Sequence, residues 1–124
     1  MQKDLIERNP VLKQTIEFSL LVISYCEILD SLKKYIISKQ LLRSAISIGA
    51  NAMEAQNAES KADFIHKIKI AAKEADETQY WLTLCEYAPD YPNCDHLSAK
   101  LQEAQKIVNA ILGTAKRKNS FSNS

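Results

Sequence analysis

Residues 60–85 read SKADFIHKIKIAAKEADETQYWLTLC. Within them Phe64, Ile68, Ala71, Ala75, Thr78, Leu82 and Cys85 recur in alternating steps of four and three. That spacing keeps side chains on one face of an α-helix and suits side-by-side packing at ~20° against another helix. Ser60 and Asp63 have the form of a capping box, with Asp63 near the positive end of the helix dipole. Pro89 and Pro92 stop the segment, since proline cannot continue a helix. The pattern predicts a helix over Ser60–Ala88, roughly 43 Å long at ~1.5 Å per residue.

Working outward, the same period returns on both sides. Leu97, Leu101, Ala104, Val108, Ile111 and Ala115 predict a helix from Asn93–Asp95 to Lys116, followed by a polar tail at 119–124 with no reason to order. Upstream, a helix over Ile36–Gln56 has two seams, Leu42-Ile46-Gly49-Met53 and Leu41-Ala45-Ile48-Ala52-Ala55. Small residues there permit close backbone approach, within the bundle or between subunits. The first helix is expected over Pro10–Leu32, with Pro10 in its first turn. Its seam is Val11, Leu12, Ile16, Ser19, Ile23, Cys26 and Leu29 or Asp30, broadened by Phe18, Leu21, Val22, Tyr25, Ile28 and Leu32. A helix apolar on most of its circumference is expected to be buried from several sides. Short connections make successive helices antiparallel. The fold class is therefore all-α, an up-down-up-down antiparallel four-helix bundle forming one domain over residues 1–118.

Composition agrees. The 124 residues include only 2 Gly and 3 Pro, too little punctuation for many short strands. The longest apolar run, Phe18–Leu29, is about half the ~20 residues a bilayer span needs, and Glu27 interrupts it. Met1–Pro10 is polar and charged, unlike a secretory leader. Three cysteines at positions 26, 85 and 94 fit no zinc spacing. Reduced thiols in the cytoplasm and no membrane are the expectation.

Catalytic constellations are missing. His66 and His96 lie on different helices without ligand partners, no glycine-rich phosphate loop occurs, and no E-x-x-H stands for a di-iron bundle. Glu74 and Glu77 are candidate paired carboxylates for acid–base work, but read better as a solvated face, with Lys73 and Glu77 at i,i+4. The expectation is no enzyme, no metal, no cofactor and no small-molecule substrate.

Charge and polarity are more informative. Lys61, Lys67, Lys69 and Lys73 occupy the first half of the third predicted helix, opposed there only by Asp63, and Glu74, Asp76, Glu77 and Glu86 the second. An up-down bundle sets the basic half beside Lys3, Arg8 and Lys13 and beside Lys116, Arg117 and Lys118, partly offset by Asp4, Glu7, Glu54 and Glu59. The formal net charge is +1, so nucleic-acid attraction must come from such a patch. Lys61, Lys67, Lys69, Lys73, Lys116, Arg117 and Lys118 are the candidate phosphate contacts. Solubilising charge is the plain alternative. Arg43, Ser47 and Glu54, with Asn51 beside them, form a polar stripe needing partners if buried. Tyr80 and Trp81 are set so that one points inward while the other reaches out, as an interface anchor or core Trp. These six are candidate interface or structural residues.

Two motifs carry a resemblance. One is Arg43-Ser44-x-x-Ser47-Ile48-x-x-Asn51-x-x-Glu54. The other is Phe64-Ile65-x-Lys67 followed by Ala71-x-Lys73-Glu74-Ala75-x-Glu77-Thr78-x-Tyr80-Trp81-Leu82. Together, over roughly residues 10–115, the chain resembles the bacterial four-helix-bundle proteins encoded in intervening sequences of 23S rRNA genes. These are also called S23 proteins and are related to the accessory variability proteins of diversity-generating retroelements. The resemblance implies a homo-oligomer, a ring of five, and among the retroelement relatives a basic surface that engages nucleic acid and a reverse transcriptase. It supplies no catalytic residues. The expected function is thus an oligomeric bundle presenting basic surfaces to RNA, DNA or a nucleic-acid-bound protein. A pure protein–protein scaffold is the alternative.

Overall fold

The computed structural model describes residues 3–122, with side chains described through Arg117. Five helices follow one another: α1 (Lys3–Arg8), α2 (Pro10–Ser31), α3 (Tyr35–Ala55), α4 (Lys61–Tyr87) and α5 (Asp95–Ser122). No strand occurs among the described residues. The four long helices pack on their chain neighbours, and α5 closes against α2. Contacts run late-to-early between successive helices: Cys26 meets Ser38, Glu54 meets Lys67, and Gln105 meets Gln79. The expected helical bundle is therefore found.

Local chemistry explains the boundaries. The Asn9 side chain accepts hydrogen bonds from the backbone N–H groups of Val11 and Leu12, and Pro10 occupies the first turn of α2. At the far end Lys34 N–H returns to Leu29 O at 2.8 Å and Lys33 N–H to Asp30 O at 2.9 Å. This is the paired bond pattern of a Schellman turn. Lys33 takes the left-handed conformation, φ 62°, where glycine is usual. That is why this boundary is poorly marked in the sequence. Ser60 Oγ accepts from Asp63 N–H at 3.0 Å, as the capping signature predicts. Asp63 itself reaches Glu59 N–H.

Three details depart from the pattern reading. A short α1 precedes Asn9, held by an Arg8–Asp4 ion pair one turn apart at 2.6 Å. The backbone of α5 is helical through Ser122, so residues 119–122 of the expected tail continue the helix; residues 123–124 lie outside the described residues. No Pro or Gly follows Gly113 to stop it. Finally, α2 turns its Thr15-Phe18-Val22-Tyr25-Leu29 face inward, with Val11, Leu12 and Cys26, whereas Ile23 of the expected seam is exposed. Leu20, Leu21 and Ile28 are exposed too, so this helix is not enclosed on several sides. In α4 and α5 the expected seams are buried, apart from half-buried Phe64 and Ile111. In α3 the Leu41-Ala45-Ile48-Ala52-Ala55 seam is the buried one.

Gly49 sets the distance between α2 and α3. A Cβ placed there would stand 3.3 Å from both Thr15 Cβ and Oγ1, tighter than ordinary carbon contact. Bare backbone thus lets Thr15, whose hydroxyl donates to Val11 O at 2.7 Å, lie against α3.

Candidate functional site

The edge where α3 meets α4 holds most of the polar stripe. The short connection at residues 56–60 fixes an antiparallel register that puts Arg43 opposite Glu77 and Glu54 opposite Lys67. The Arg43 guanidinium donates to Glu77 and, at 3.3 Å, to Glu74 Oε2. Trp81 Nε1 donates to the same Glu77 Oε2 at 3.1 Å. Glu77 therefore pairs across the helices rather than with Lys73, as its spacing had suggested. Lys67 Nζ meets Glu54 Oε1 at 3.1 Å. Between these two bridges Ser47 donates to Arg43 O and Asn51 to Ser47 O, so both close on their own helix. Beneath them Thr78 and Ser44 hydroxyls meet at 2.9 Å in the core. Arg43 is about half exposed, so its pairs orient the edge more than they stabilise it. Trp81 is half-buried, and Tyr80, exposed, meets it edge-on at 5.4 Å between centroids.

The basic candidates do not form one cluster. Lys67 turns towards α3 and its carboxylate. Lys61 turns towards α5, in a groove with Phe64, Ala110, Ile111, Thr114 and Ala115. Lys69 and Lys73, one turn apart, are exposed. Lys116 and Arg117 are exposed at the α5 end beside that groove; the Lys118 side chain lies outside the described residues. Among the described residues Lys61, Lys69, Lys73, Lys116 and Arg117 have no acidic partner, whereas Asp4, Glu7 and Glu54 at that end are paired to Arg8, Lys13 and Lys67.

A second feature escaped the sequence reading. Ile16, Leu20, Ile46, Ala50 and Met53 line an almost wholly apolar groove of about 240 Å³ between α2 and α3, floored by Gly49. Leu20 is 58% and Ile46 41% exposed. The wide apolar circumference of α2 was the available signal.

Among the described residues no three His, Cys, Asp or Glu side chains are placed to hold a metal ion, and no helix is long and apolar enough to cross a membrane. His66 and His96 are exposed on separate helices. The three free thiols are buried. Burial pushes Cys26 and Cys85 up, and with neighbouring Cys85 pushes Cys94 from 9.0 up to about 11. They are thus protonated at neutral pH and poor nucleophiles. Burial, then Cys85, also raises the Tyr25 phenol, which donates to Pro92 O at 2.7 Å. Raised acids favour the fold in their neutral form, so this stability is whole below the unfolded thiol value of 9.0 and is lost as pH climbs through the folded values. Thermal melting should therefore hold steady up to about pH 9 and fall progressively between 9 and 11; an unchanged melting temperature at pH 11 would contradict it.

Comparison with known proteins fits this geometry. A crystal structure of a protein of unknown function from the S23 ribosomal protein family of Bacteroides thetaiotaomicron is 37% identical, with a TM-score of 0.77. It covers 82% of this chain and 97% of its own. No curated protein matches. The sequence pattern of the 23S rRNA-intervening sequence proteins matches residues 7–111. That span takes in α2, α3, α4, the ion-paired edge between α3 and α4, and most of α5, and on it the chain belongs to the 23S rRNA-intervening sequence protein family.

Proposed function

We propose that this protein is a non-catalytic, self-associating cytoplasmic adaptor that contacts the phosphate backbone of RNA or DNA with the cations of α4 and the end of α5. The observation that carries this reading is the charge layout. Among the described residues Lys61, Lys69, Lys73, Lys116 and Arg117 have no acid partner; of the acids at that end Asp4, Glu7 and Glu54 are occupied by other cations, while Glu59 and Asp63 make no ion pair there. Phosphate contacts of this kind give sequence-independent binding that weakens with salt. One copy offers few contacts. A ring, five copies by resemblance, repeats them and adds them as an effective concentration. The apolar α2–α3 groove supports self-association, since Leu20 and Ile46 leave apolar surface on its walls that a second copy would bury.

The same groove favours a second reading, a protein–protein scaffold whose charges only solubilise. The test is a filter-binding titration at rising salt with Lys69, Lys73 and Lys116 changed together to Glu. Each lost phosphate contact should reduce the salt slope by about one, and binding should weaken at low salt. Lys67 is left intact, because a Glu there would face Glu54. Wild-type binding that ignores salt, or a variant that binds as well as wild type, refutes the phosphate assignment. Particle mass in solution, against 14.0 kDa for one chain, decides self-association.

A further inference from the structure

The groove between the first turn of α4 and the Ala110–Ala115 stretch of α5 has a volume of about 550 Å³. Its lining is Phe64, Ala110, Ile111 and Ala115, with Lys61 and Thr114 the polar members. From Ala110 to Ala115 it extends roughly 7–8 Å along α5, the scale of one nucleobase rather than of a helix. Arg117 folds back to its rim. The guanidinium lies over bare Gly113, where a Cβ would stand 3.3 Å from Nη1, and Nη2 donates to Thr114 Oγ1 at 3.2 Å. Its partner there is a neutral hydroxyl, and among the described residues no acid faces it. Lys61, on the opposite wall, is also exposed and without an acid partner among the described residues. An apolar trough flanked by two cations that have no acid partner among the described residues complements a flat apolar ring joined to an anion.

We infer that this groove accepts an unpaired base of single-stranded RNA or DNA, its ring against Phe64 and Ile111 and its flanking phosphates on Lys61 and Arg117. The inference rests on the nucleic-acid reading above and adds that the strand be single. A paired base hides both faces in the stack and must first be extruded, whereas an unpaired one presents a π-face to any apolar or aromatic platform.

The test uses the full chain and three oligonucleotides of one length: an intact single strand, the same strand with abasic sites, and a duplex. Fluorescence anisotropy at low salt reads the affinities. The intact strand should bind roughly tenfold or more tightly than the abasic one, the size expected for base stacking. Ala110 is exposed on the groove rim, so Ala110→Leu projects into the trough and obstructs it without entering the core. It should erase that advantage and leave abasic binding unchanged, with circular dichroism confirming a folded helix bundle. Equal binding of intact and abasic strands, or of Ala110→Leu and wild type to the intact strand, overturns the base site while leaving the phosphate reading standing. Failure to bind any of the three overturns both.

Discussion

Replacing Phe18 by alanine should lower the free energy of unfolding by about 3–5 kcal/mol. The side chain is fully buried and is the largest such side chain in the core. Its removal loses both the transfer free energy of the ring and the contacts of the groups left facing the void. A domain of this size is stable by about 5–15 kcal/mol in all, so the variant should be marginal in urea and melt far below the wild type. Ile23→Ala is the matched control. It lies on the same helix, in the seam that periodicity alone would choose, yet is 36% exposed. It should cost well under half as much. Equal losses for the two would mean that α2 is rotated from the arrangement described.

The other large effect concerns association. Leu20 and Ile46 stand on opposite walls of the α2–α3 groove. If copies meet there, burying the half of each side chain that is still exposed contributes about 1 kcal/mol apiece. Changing both to Asp removes that gain and adds the desolvation cost of two carboxylates. The proposed assembly should then fall to single 14.0 kDa chains at concentrations where the wild type is intact. The bundle itself should stay folded, because both positions already face solvent. Ile36→Asp, at a site 82% exposed near the start of α3, should leave the mass unchanged. Light scattering distinguishes these outcomes; a double variant with wild-type mass would place the contact elsewhere.

How far the sequence spoke depended on the sharpness of each stripe. In α4 and α5 one apolar face alternates with charge, so Ile68, Ala71, Ala75, Leu82, Leu97, Leu101 and Val108 were identified as core from spacing alone. In α2 apolar residues occupy most of the circumference, and period cannot choose between Phe18-Val22 and Ser19-Ile23. That choice is made by what α3 and α5 offer in return. The family followed from two motifs whose Arg43, Glu54, Lys67, Glu74, Glu77 and Trp81 the structure brings to one edge, with Arg43 reaching Glu74 and Glu77. The pairing needed the antiparallel register, which one helix in isolation does not contain. The lysines of α4 read as one basic half in a linear string. Around the helix they diverge, Lys67 to one neighbour, Lys61 to the other, Lys69 and Lys73 to solvent. The α4–α5 groove had no signature, because its lining comes from segments about fifty residues apart.

The sealed sulfurs carry a last consequence. Cys26, Cys85 and Cys94 are each at most 3% exposed, so none can staple one copy to the next. Any assembly would be held by touch alone and governed by mass action. Dilution would take it apart, reductant would leave it untouched, and its occupancy in a cell would follow how much of the protein is made.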